Sequence, residues 1–278
     1  MPSARYFPAV FCAALLILGT GGSRATTISF ASLDPAHPHN VSGTLYLPAN
    51  ATGPVPAVVM VHGTSGIDQR GELYRQPLLT AGIAIFEVDF KTGIYTGPSD
   101  RPKPDTFLPL AFAALKQLRK IPTIDPNRIG YMGFSMGGTI GLRAAVDSNV
   151  RQWMTGDKGF TAFALFYPVC KQFIPEFEKS GSRFTAAPMV IFYGTADSYG
   201  DGEAVPQLKR LLATKYNFQL TTVEYPGASH GFNRNGPDMD YYDPAAIHMK
   251  GHIAWDPKAA GDSITQVVAF LRENLSAK

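Results

Sequence analysis

The stretch RIGYMGFSMGGTIGLRAAV, residues 128–146, changes from a strand pattern to a helix pattern within a few positions. An apolar run ends at Met132, and helix-forming residues extend from Gly138 to Val146. Between them a serine lies in the sequence Gly133-Phe134-Ser135-Met136-Gly137. A sharp turn between a strand and a helix can hold a serine at strained backbone angles and expose its hydroxyl. The pattern therefore predicts that Ser135 is a catalytic nucleophile.

An acid and a histidine follow this serine, each just beyond a predicted strand. Asp197 comes after the apolar run at 189–193, and His230 comes after the strand-like residues 221–225. Open parallel sheets build their sites at the carboxyl ends of the strands, so the three side chains can meet if their strands are neighbours. Serine, acid and histidine in this order is also typical of the strand-turn-helix motif. Asp201 competes with Asp197 for the role of the acid, and the position directly after the strand turn favours Asp197.

The rest of the chain predicts an α/β fold with a mostly parallel sheet covered by helices on both faces. Apolar runs that do not alternate with polar residues indicate strands buried on both sides. Such runs occupy residues 55–61, 83–90, 129–134, 163–167, 189–193 and 220–225. Helix-like segments lie between and after them, at 72–80, 106–119, 138–147, 204–214 and 263–275. An early pair, around Ile28 and at 41–47, is expected to form an antiparallel edge.

The first 25 residues have the pattern of a secretory signal peptide. Arg5 supplies the positive start, residues 7–18 form a short apolar core, and Ser23-Arg24-Ala25 resembles a cleavage signal. An apolar core of this length is too short to span a bilayer, which takes about 20 residues. We therefore expect a secreted or periplasmic protein with no stable membrane anchor, in which residues 26–278 form one domain.

Charge and cysteine content limit which partners and which covalent crosslinks the chain can be expected to have. The formal charge is +3, it falls by two when Arg5 and Arg24 leave with the leader, and no basic run remains, so nucleic acid is not an expected partner. Cys170 is the only cysteine after the leader, so no intramolecular disulfide is expected. The oligomeric state is not predicted.

The sequence His62-Gly63-Thr64-Ser65-Gly66 follows the strand at 55–61, where a turn can contribute to an oxyanion hole. Acyl transfer needs hydrogen-bond donors that point at the charge developing on the carbonyl oxygen. The backbone amides expected to supply them are those of Met136 and Thr64. His62 itself is expected to make a structural hydrogen bond.

Four motifs, taken together, resemble the dienelactone hydrolase family of α/β-hydrolases over roughly residues 40 to 275. They are Asp125-Pro126-Asn127-Arg128-Ile129-Gly130, the serine turn at 133–138, Tyr193-Gly194-Thr195-Ala196-Asp197, and Ser229-His230-Gly231-Phe232. The resemblance implies a triad of Ser135, Asp197 and His230, hydrolysis of carboxylic esters or lactones, and no metal or organic cofactor. The founding enzymes of the family use a cysteine nucleophile and a glutamate in the oxyanion turn. Because this chain has Ser135 and a His-Gly-Thr-Ser-Gly turn, the resemblance favours general esterase chemistry over dienelactone cleavage.

Other functions remain open on the same scaffold. Peptidase and acyltransferase activities use the same machinery, since the fold and the triad determine the mechanism but not the acyl group. A secreted binding protein without chemistry is a further alternative. The long irregular segment 233–258 after the candidate histidine is expected to be functional, because long loops in compact domains are more often functional than idle, and the sequence leaves open whether it covers the site as a lid.

Several further residues are candidates for contacting the substrate or a metal. Arg101 could bind a substrate carboxylate, and a solvated loop arginine is the alternative. Aromatic side chains could line an acyl or alcohol pocket, although core packing explains each equally well: Trp153, Phe232, Tyr241, Tyr242 and Trp255. His248 and His252 have a spacing that can bind metal on a helix, but Gly251 weakens such a helix, so a locally hydrogen-bonded or solvated pair is favoured. Cys170 is interpreted as apolar filler in preference to a reactive thiol.

Overall fold

The computed structural model describes residues 24–92, 103–181 and 183–277. The strands in these ranges are β1 Arg24–Ala31, β2 Asn40–Leu47, β3 Val55–Val61, β4 Ala84–Asp89, β5 Ile124–Phe134, β6 Phe163–Phe166, β7 Met189–Gly194, β8 Leu220–Tyr225, β9 Met239–Tyr242 and β10 Lys250–Ile253. The α-helices are α1 Gln69–Thr80, α2 Leu108–Arg119, α3 Met136–Ala144, α4 Asp147–Met154, α5 Ile174–Lys179, α6 Asp201–Tyr216 and α7 Pro257–Asn274. Short 3-10 turns lie at Pro104–Phe107, Cys170–Gln172 and Ile247–Met249.

Eight of the described strands form one sheet in the order β1-β2-β4-β3-β5-β6-β7-β8. The strands β3 to β8 all run parallel to one another, whereas β2 pairs antiparallel with both β1 and β4. The predicted α/β fold is therefore confirmed, and so is the predicted antiparallel edge. The strands β5, β7 and β8 lie on one side of the sheet with only β6 between β5 and β7.

Apolar side chains leave both faces of the sheet, as the non-alternating runs predict. In β3, Val59 and Val61 join the hydrophobic cluster under α2, α3 and α6, while Val58 and Met60 join the cluster under α1 and α7. All four side chains are buried. Burial on both faces explains why these strands are continuously hydrophobic.

The structure extends or adds elements that the apolar pattern does not reveal. Helix α7 begins at Pro257, six residues before the predicted start, because the side chain of Asp256 accepts hydrogen bonds from the amides of Lys258 and Ala259. The helices α4 and α5 and the hairpin of β9 and β10 were not predicted. The hairpin lies within the segment 233–258, which the sequence indicates only as a long irregular loop.

The signal-peptide prediction concerns residues 1–25, and residues 1–23 lie outside the described residues. Arg24 and Ala25 pair with Leu47 and Tyr46 as the first residues of β1. Within the described ranges, no helix has the length and apolar character needed to cross a membrane.

Candidate active site

Ser135 occupies a strained turn between β5 and α3. Its φ and ψ are 51° and −114°, and a positive φ is uncommon for a residue with a side chain. The flanking glycines are required by close backbone approach. A Cβ at Gly133 would lie 2.3 Å from the carbonyl oxygen of Gly137, and a Cβ at Gly137 would lie 2.4 Å from that of Val61. The turn therefore needs glycine at these two positions, since even alanine would force the backbone to shift. It leaves the serine side chain at the sheet edge.

The side chains of Ser135, His230 and Asp197 form one row of hydrogen bonds. The Nε2 atom of His230 lies 2.9 Å from the Oγ atom of Ser135, and its Nδ1 atom lies 2.9 Å from the Oδ2 atom of Asp197. Because an ionised carboxylate can only accept, Nδ1 carries the proton and Nε2 is left to accept from the serine hydroxyl. His230 and Asp197 are buried, with 3% and 5% of their surface exposed. The arrangement can transfer a proton from Ser135 to His230 while keeping the imidazole oriented.

The competing carboxylate, Asp201, has a different set of partners. Its Oδ2 accepts from the amide of Val169 at 3.0 Å, and its Oδ1 accepts from that of Cys170 at 2.7 Å. It lies at the start of α6, fully buried, and burial together with the nearby charge of Asp197 raises its pKa to about 8. The other oxygen of Asp197 accepts from the amide of Tyr199 at 2.7 Å. Of the two acids, Asp197 is the one in contact with the imidazole.

Two tyrosine rings pack against the imidazole of His230. The ring centroid of Tyr167 is 4.7 Å away in an edge-on arrangement, and that of Tyr199 is 4.4 Å away. Tyr167 is fully buried and its backbone φ is 38°, in the left-handed region. These contacts restrict the ring of His230 to the plane in which it can reach both Ser135 and Asp197.

A cavity of about 250 Å³ opens beside Ser135. Both residues predicted for the oxyanion hole line it, since Thr64 and Met136 border the cavity together with Ser135. Met136 is the first residue of α3, so its amide has no acceptor within the helix and lies at the positive end of the helix dipole. The remaining described residues of the wall are Lys103, Pro104, Thr139, Val169, Gln172, Tyr199, Asp243 and Ala245.

His62 makes backbone hydrogen bonds on both of its ring nitrogens. Its Nε2 accepts from the amide of Phe90 at 3.0 Å, and its Nδ1 donates to the carbonyl of Gly63 at 2.6 Å. The side chain is 6% exposed. His62 therefore ties the turn after β3 to the end of β4, which agrees with the structural hydrogen bond predicted for it.

The aromatic candidates for substrate contact do not line this cavity. Trp153 is half-buried on α4 and packs against the hydrophobic cluster under α2. Phe232 is fully buried between the rings of Tyr167 and Tyr225, 5.5 Å and 4.9 Å away between centroids. Phe232 therefore packs in the interior, and Trp153 packs against the core with part of its surface exposed, so neither side chain lies at the site.

The remaining candidates for substrate contact are Tyr241, Tyr242, Trp255 and Arg101. Tyr242 is 71% exposed, the hydroxyl of Tyr241 lies 3.0 Å from that of Tyr199, and Trp255 is half-buried. None of these three borders the cavity as formed by the described residues. Arg101, the candidate for binding a substrate carboxylate, lies outside the described residues.

The two histidines with metal-type spacing do not share a helix face. His248 lies in a 3-10 turn with a φ of 54°, and His252 lies in β10, where its Nδ1 is 2.8 Å from the Oδ1 atom of Asp240. Among the described residues, no group of three or more His, Cys, Asp or Glu side chains could hold a metal ion. Cys170 is fully buried, and burial raises the pKa of its thiol, so the thiol stays protonated.

The hairpin of β9 and β10 supplies a wall of the cavity that sequence reasoning missed. Its connecting segment contributes Asp243 and Ala245, and the carboxylate of Asp243 accepts from the hydroxyl of Tyr199 at 2.6 Å. The backbone of Ser198 accepts from the amide of Ile247 at 2.8 Å, and the Ser198 hydroxyl accepts from that of His252 at 3.1 Å. The hairpin is thus attached to the loop that carries Asp197.

Tyr167 and Tyr199 are the other site residues that were missed. Tyr167 directly follows β6, and Tyr199 follows β7 through the loop of Asp197. The rule that located the acid and the histidine, a position just beyond a strand end, also applies to Tyr167. Tyr199 could have been found from its position two residues after Asp197, in the same loop beyond β7.

Comparison with known proteins gives a family and a set of related folds. A model of the dienelactone hydrolase family matches residues 41–275. A solved dienelactone hydrolase-like promiscuous phosphotriesterase from metagenomic libraries is 19% identical, with 91% of this chain and 99% of that chain covered and a TM-score of 0.63. Esterase 2 of Thermogutta terrifontis, phosphorylated by paraoxon, is 19% identical over 92% of this chain and 96% of that chain, with a TM-score of 0.64. A thermostable carboxylesterase from a metagenomic library has a TM-score of 0.62 at 17% identity, over 91% of this chain and 90% of that chain. The search of curated proteins found no match.

Proposed function

This chain belongs to the dienelactone hydrolase family, which indicates an ester hydrolase, and we propose that it cleaves small carboxylic esters or lactones with a serine nucleophile. The proposed nucleophile is Ser135, the proposed base is His230, and Asp197 orients and stabilises the imidazole. The observation that carries the proposal is the row of two hydrogen bonds of 2.9 Å that joins these three side chains.

The first half of the proposed reaction forms an acyl-enzyme. His230 takes the proton of the Ser135 hydroxyl at Nε2 as the Oγ atom attacks the ester carbonyl. The negative charge that develops on the carbonyl oxygen is stabilised by the amides of Met136 and Thr64. The tetrahedral species then collapses, the carbon–oxygen bond to the alcohol breaks, and the alcohol leaves with the proton from Nε2.

The second half of the reaction releases the acid. A water molecule gives a proton to Nε2 as its oxygen attacks the acyl carbonyl, and the same amides stabilise the second tetrahedral species. Its collapse returns the proton to Ser135 and frees the carboxylic acid. The proton on Nδ1 of His230 stays on the imidazole, which Asp197 orients and stabilises in its charged form.

The size of the cavity supports small substrates. Its volume of about 250 Å³ is below the range of roughly 300–1,000 Å³ that is typical of sites for drug-sized ligands. Its described wall combines apolar residues such as Val169 and Pro104 with polar ones such as Gln172 and Thr139. We therefore propose short acyl chains, with cleavage of p-nitrophenyl acetate and butyrate faster than cleavage of the decanoate.

The test compares the native enzyme with Ser135→Ala, using Ser276→Ala as the matched control. Ser276 lies exposed after the last helix, so its loss leaves the site intact. We expect Ser135→Ala to abolish turnover of the short p-nitrophenyl esters and labelling by a fluorophosphonate, while both variants keep the native unfolding temperature. Turnover retained in Ser135→Ala, or a probe bound elsewhere, would refute the proposal. Including a lactone, an aminoacyl amide and an alcohol acceptor separates hydrolase, peptidase and acyltransferase activities.

Export is a second part of the proposal. It rests on the signal-peptide pattern of residues 1–25. Expression of the full chain in a bacterial host followed by N-terminal sequencing tests it. A mature N-terminus near Thr26 in the periplasm or medium is expected, and an uncleaved chain retained in the cytoplasm would contradict export.

A further inference from the structure

A buried arginine, Arg70, lies behind the turn that is proposed to bind the oxyanion. It is the second residue of α1 and is 3% exposed. Its Nε donates to both carboxylate oxygens of Asp68, at 2.8 Å and 3.0 Å, and its Nη2 donates to the Oδ2 atom at 2.5 Å. A guanidinium remains charged in such a site, so a fixed positive charge lies in the interior.

The guanidinium touches the turn after β3 and the residue before the nucleophile. Both of its terminal nitrogens would be 3.3 Å from a Cβ at Gly63, and Nη2 donates to the Ser65 hydroxyl at 3.3 Å. Its central carbon lies 5.8 Å from the ring centroid of Phe134. Arg70 thus lies next to Gly63 and contacts the side chain of Ser65, the two neighbours of Thr64, the proposed donor in this turn.

A chain of buried polar groups connects Arg70 to the proposed base. The guanidinium interacts with the hydroxyl of Tyr167, whose ring packs on His230. That hydroxyl donates to the Oδ1 atom of Asn233 at 2.5 Å, three residues beyond His230. The Nδ2 atom of Asn233 donates in turn to the hydroxyl of Tyr74 at 2.7 Å. Both loops that shape the site therefore have polar contacts that lead to Arg70.

The anion of the Arg70–Asp68 pair lies closer to solvent than the cation. The side chain of Asp68 is 18% exposed, compared with 4% for Arg70, so solvent screens the carboxylate more than the guanidinium. The positive charge of Arg234 also helps to lower the pKa of Asp68. Burial raises the pKa of Asp68, but the hydrogen bond and charge of Arg70 outweigh burial and hold it below its usual value.

We propose that Arg70 is a positioning residue for ester hydrolysis: it holds the oxyanion turn and the histidine loop together and keeps a net positive charge behind the developing oxyanion. This inference rests on the proposed function. A fixed positive charge in a water-excluded site stabilises a transition state in which negative charge appears on the carbonyl oxygen. It also disfavours protonation of the nearby imidazole, which must be neutral to act as a base.

The test measures kcat, KM and the pH profile of kcat/KM for Arg70→Gln, Arg70→Lys and Asp68→Asn with p-nitrophenyl butyrate. The acid limb of this profile reports protonation of the base in the free enzyme. Arg70→Gln removes the cation and should shift the acid limb upward by about half a pH unit or more. Its kcat should be at least tenfold lower than the kcat of Arg70→Lys. Arg70→Lys keeps the charge and should leave the limb in place. In all of these variants KM should stay within about threefold, because Arg70 does not line the cavity.

If Arg70→Gln does not fold, Asp68→Asn tests the same charge effect independently, because it should shift the acid limb in the opposite direction. Asparagine can replace aspartate as the N-cap of α1, and loss of the anion should shift the acid limb downward. The other groups that face the imidazole or its acid are unchanged in every variant, namely Asp197, Asp201, Tyr167 and Tyr199. Identical acid limbs in Arg70→Gln and Arg70→Lys, or an upward shift in Asp68→Asn, would overturn the inference. A native enzyme that neither cleaves esters nor reacts with a fluorophosphonate would instead overturn the proposed function.

Discussion

Replacing Asp197 with asparagine tests the proposed proton path most directly. The two carboxylate oxygens have different partners, since Oδ1 accepts from the amide of Tyr199 at 2.7 Å and Oδ2 accepts from Nδ1 of His230 at 2.9 Å. Asparagine has only one oxygen to offer. If that oxygen serves Tyr199, the NH₂ group faces Nδ1, which must then accept, and the ring proton moves to Nε2. In this tautomer His230 cannot take the proton of Ser135.

The opposite orientation of the amide keeps the competent tautomer but places the NH₂ group against the amide of Tyr199. Leaving a buried donor without an acceptor costs about 1–3 kcal/mol. Losing the charge that stabilises the imidazolium removes about 2–3 kcal/mol more, the value of a hydrogen bond to a charged group. Together these costs of about 3–6 kcal/mol predict a fall in kcat/KM of roughly 10²-fold to 10⁴-fold.

The assay is hydrolysis of p-nitrophenyl acetate by Asp197→Asn, with Asp201→Asn as the matched control. Asp201 is a buried carboxylate near Asp197, but its oxygens accept from the amides of Val169 and Cys170. We expect the control to keep kcat/KM within about tenfold of the native value, and thermal unfolding to show that both variants are folded. The reasoning is refuted if Asp197→Asn keeps more than a tenth of the native kcat/KM, or if Asp201→Asn loses as much activity.

Two further predictions concern stability. Gly137→Ala should lower the free energy of unfolding by about 3 kcal/mol, because the new Cβ would lie 2.4 Å from the carbonyl oxygen of Val61. Gly261→Ala should raise it by about 0.5–1 kcal/mol, because Gly261 lies inside α7 and no atom is within 4 Å of the new Cβ. Urea unfolding measures both, and equal effects would contradict the packing argument. The pKa of Asp201 is raised to about 8 in the folded protein, against 3.8 for an ordinary aspartate. Between these pH values the folded protein holds a proton that the unfolded chain has already released. The native free energy of unfolding should therefore fall between about pH 4 and pH 8, by up to about 1.4 kcal/mol per unit, and Asp201→Asn should remove most of this slope; parallel curves for the two proteins would count against it.

The fold was predictable because burial on both faces leaves a direct mark on the sequence. The runs at 55–61 and 220–225 coincide with β3 and β8 as observed. The strand β5 begins at Ile124, earlier than the apolar run that starts at Ile129, because Ile124 pairs with Val55 at the start of β3 while the residues between, 125–128, are mostly polar and not buried. Polar or short elements such as α5 and the hairpin of β9 and β10 have no such mark, since they are stabilised by contacts with distant segments.

The sequence alone determined which strand ends carry the candidate side chains, because parallel strands expose their carboxyl ends at the same edge of a sheet. That rule predicted Ser135, Asp197 and His230, whose side chains the structure joins by hydrogen bonds, and the family resemblance was confirmed by the match over residues 41–275. Only the tertiary structure decided that Asp197 and not Asp201 contacts the imidazole, and that Trp153 packs against the core away from the cavity. These choices depend on a few ångströms between side chains from separate parts of the chain. Local sequence patterns carry no information on such distances, whereas packing of the complete fold determines them.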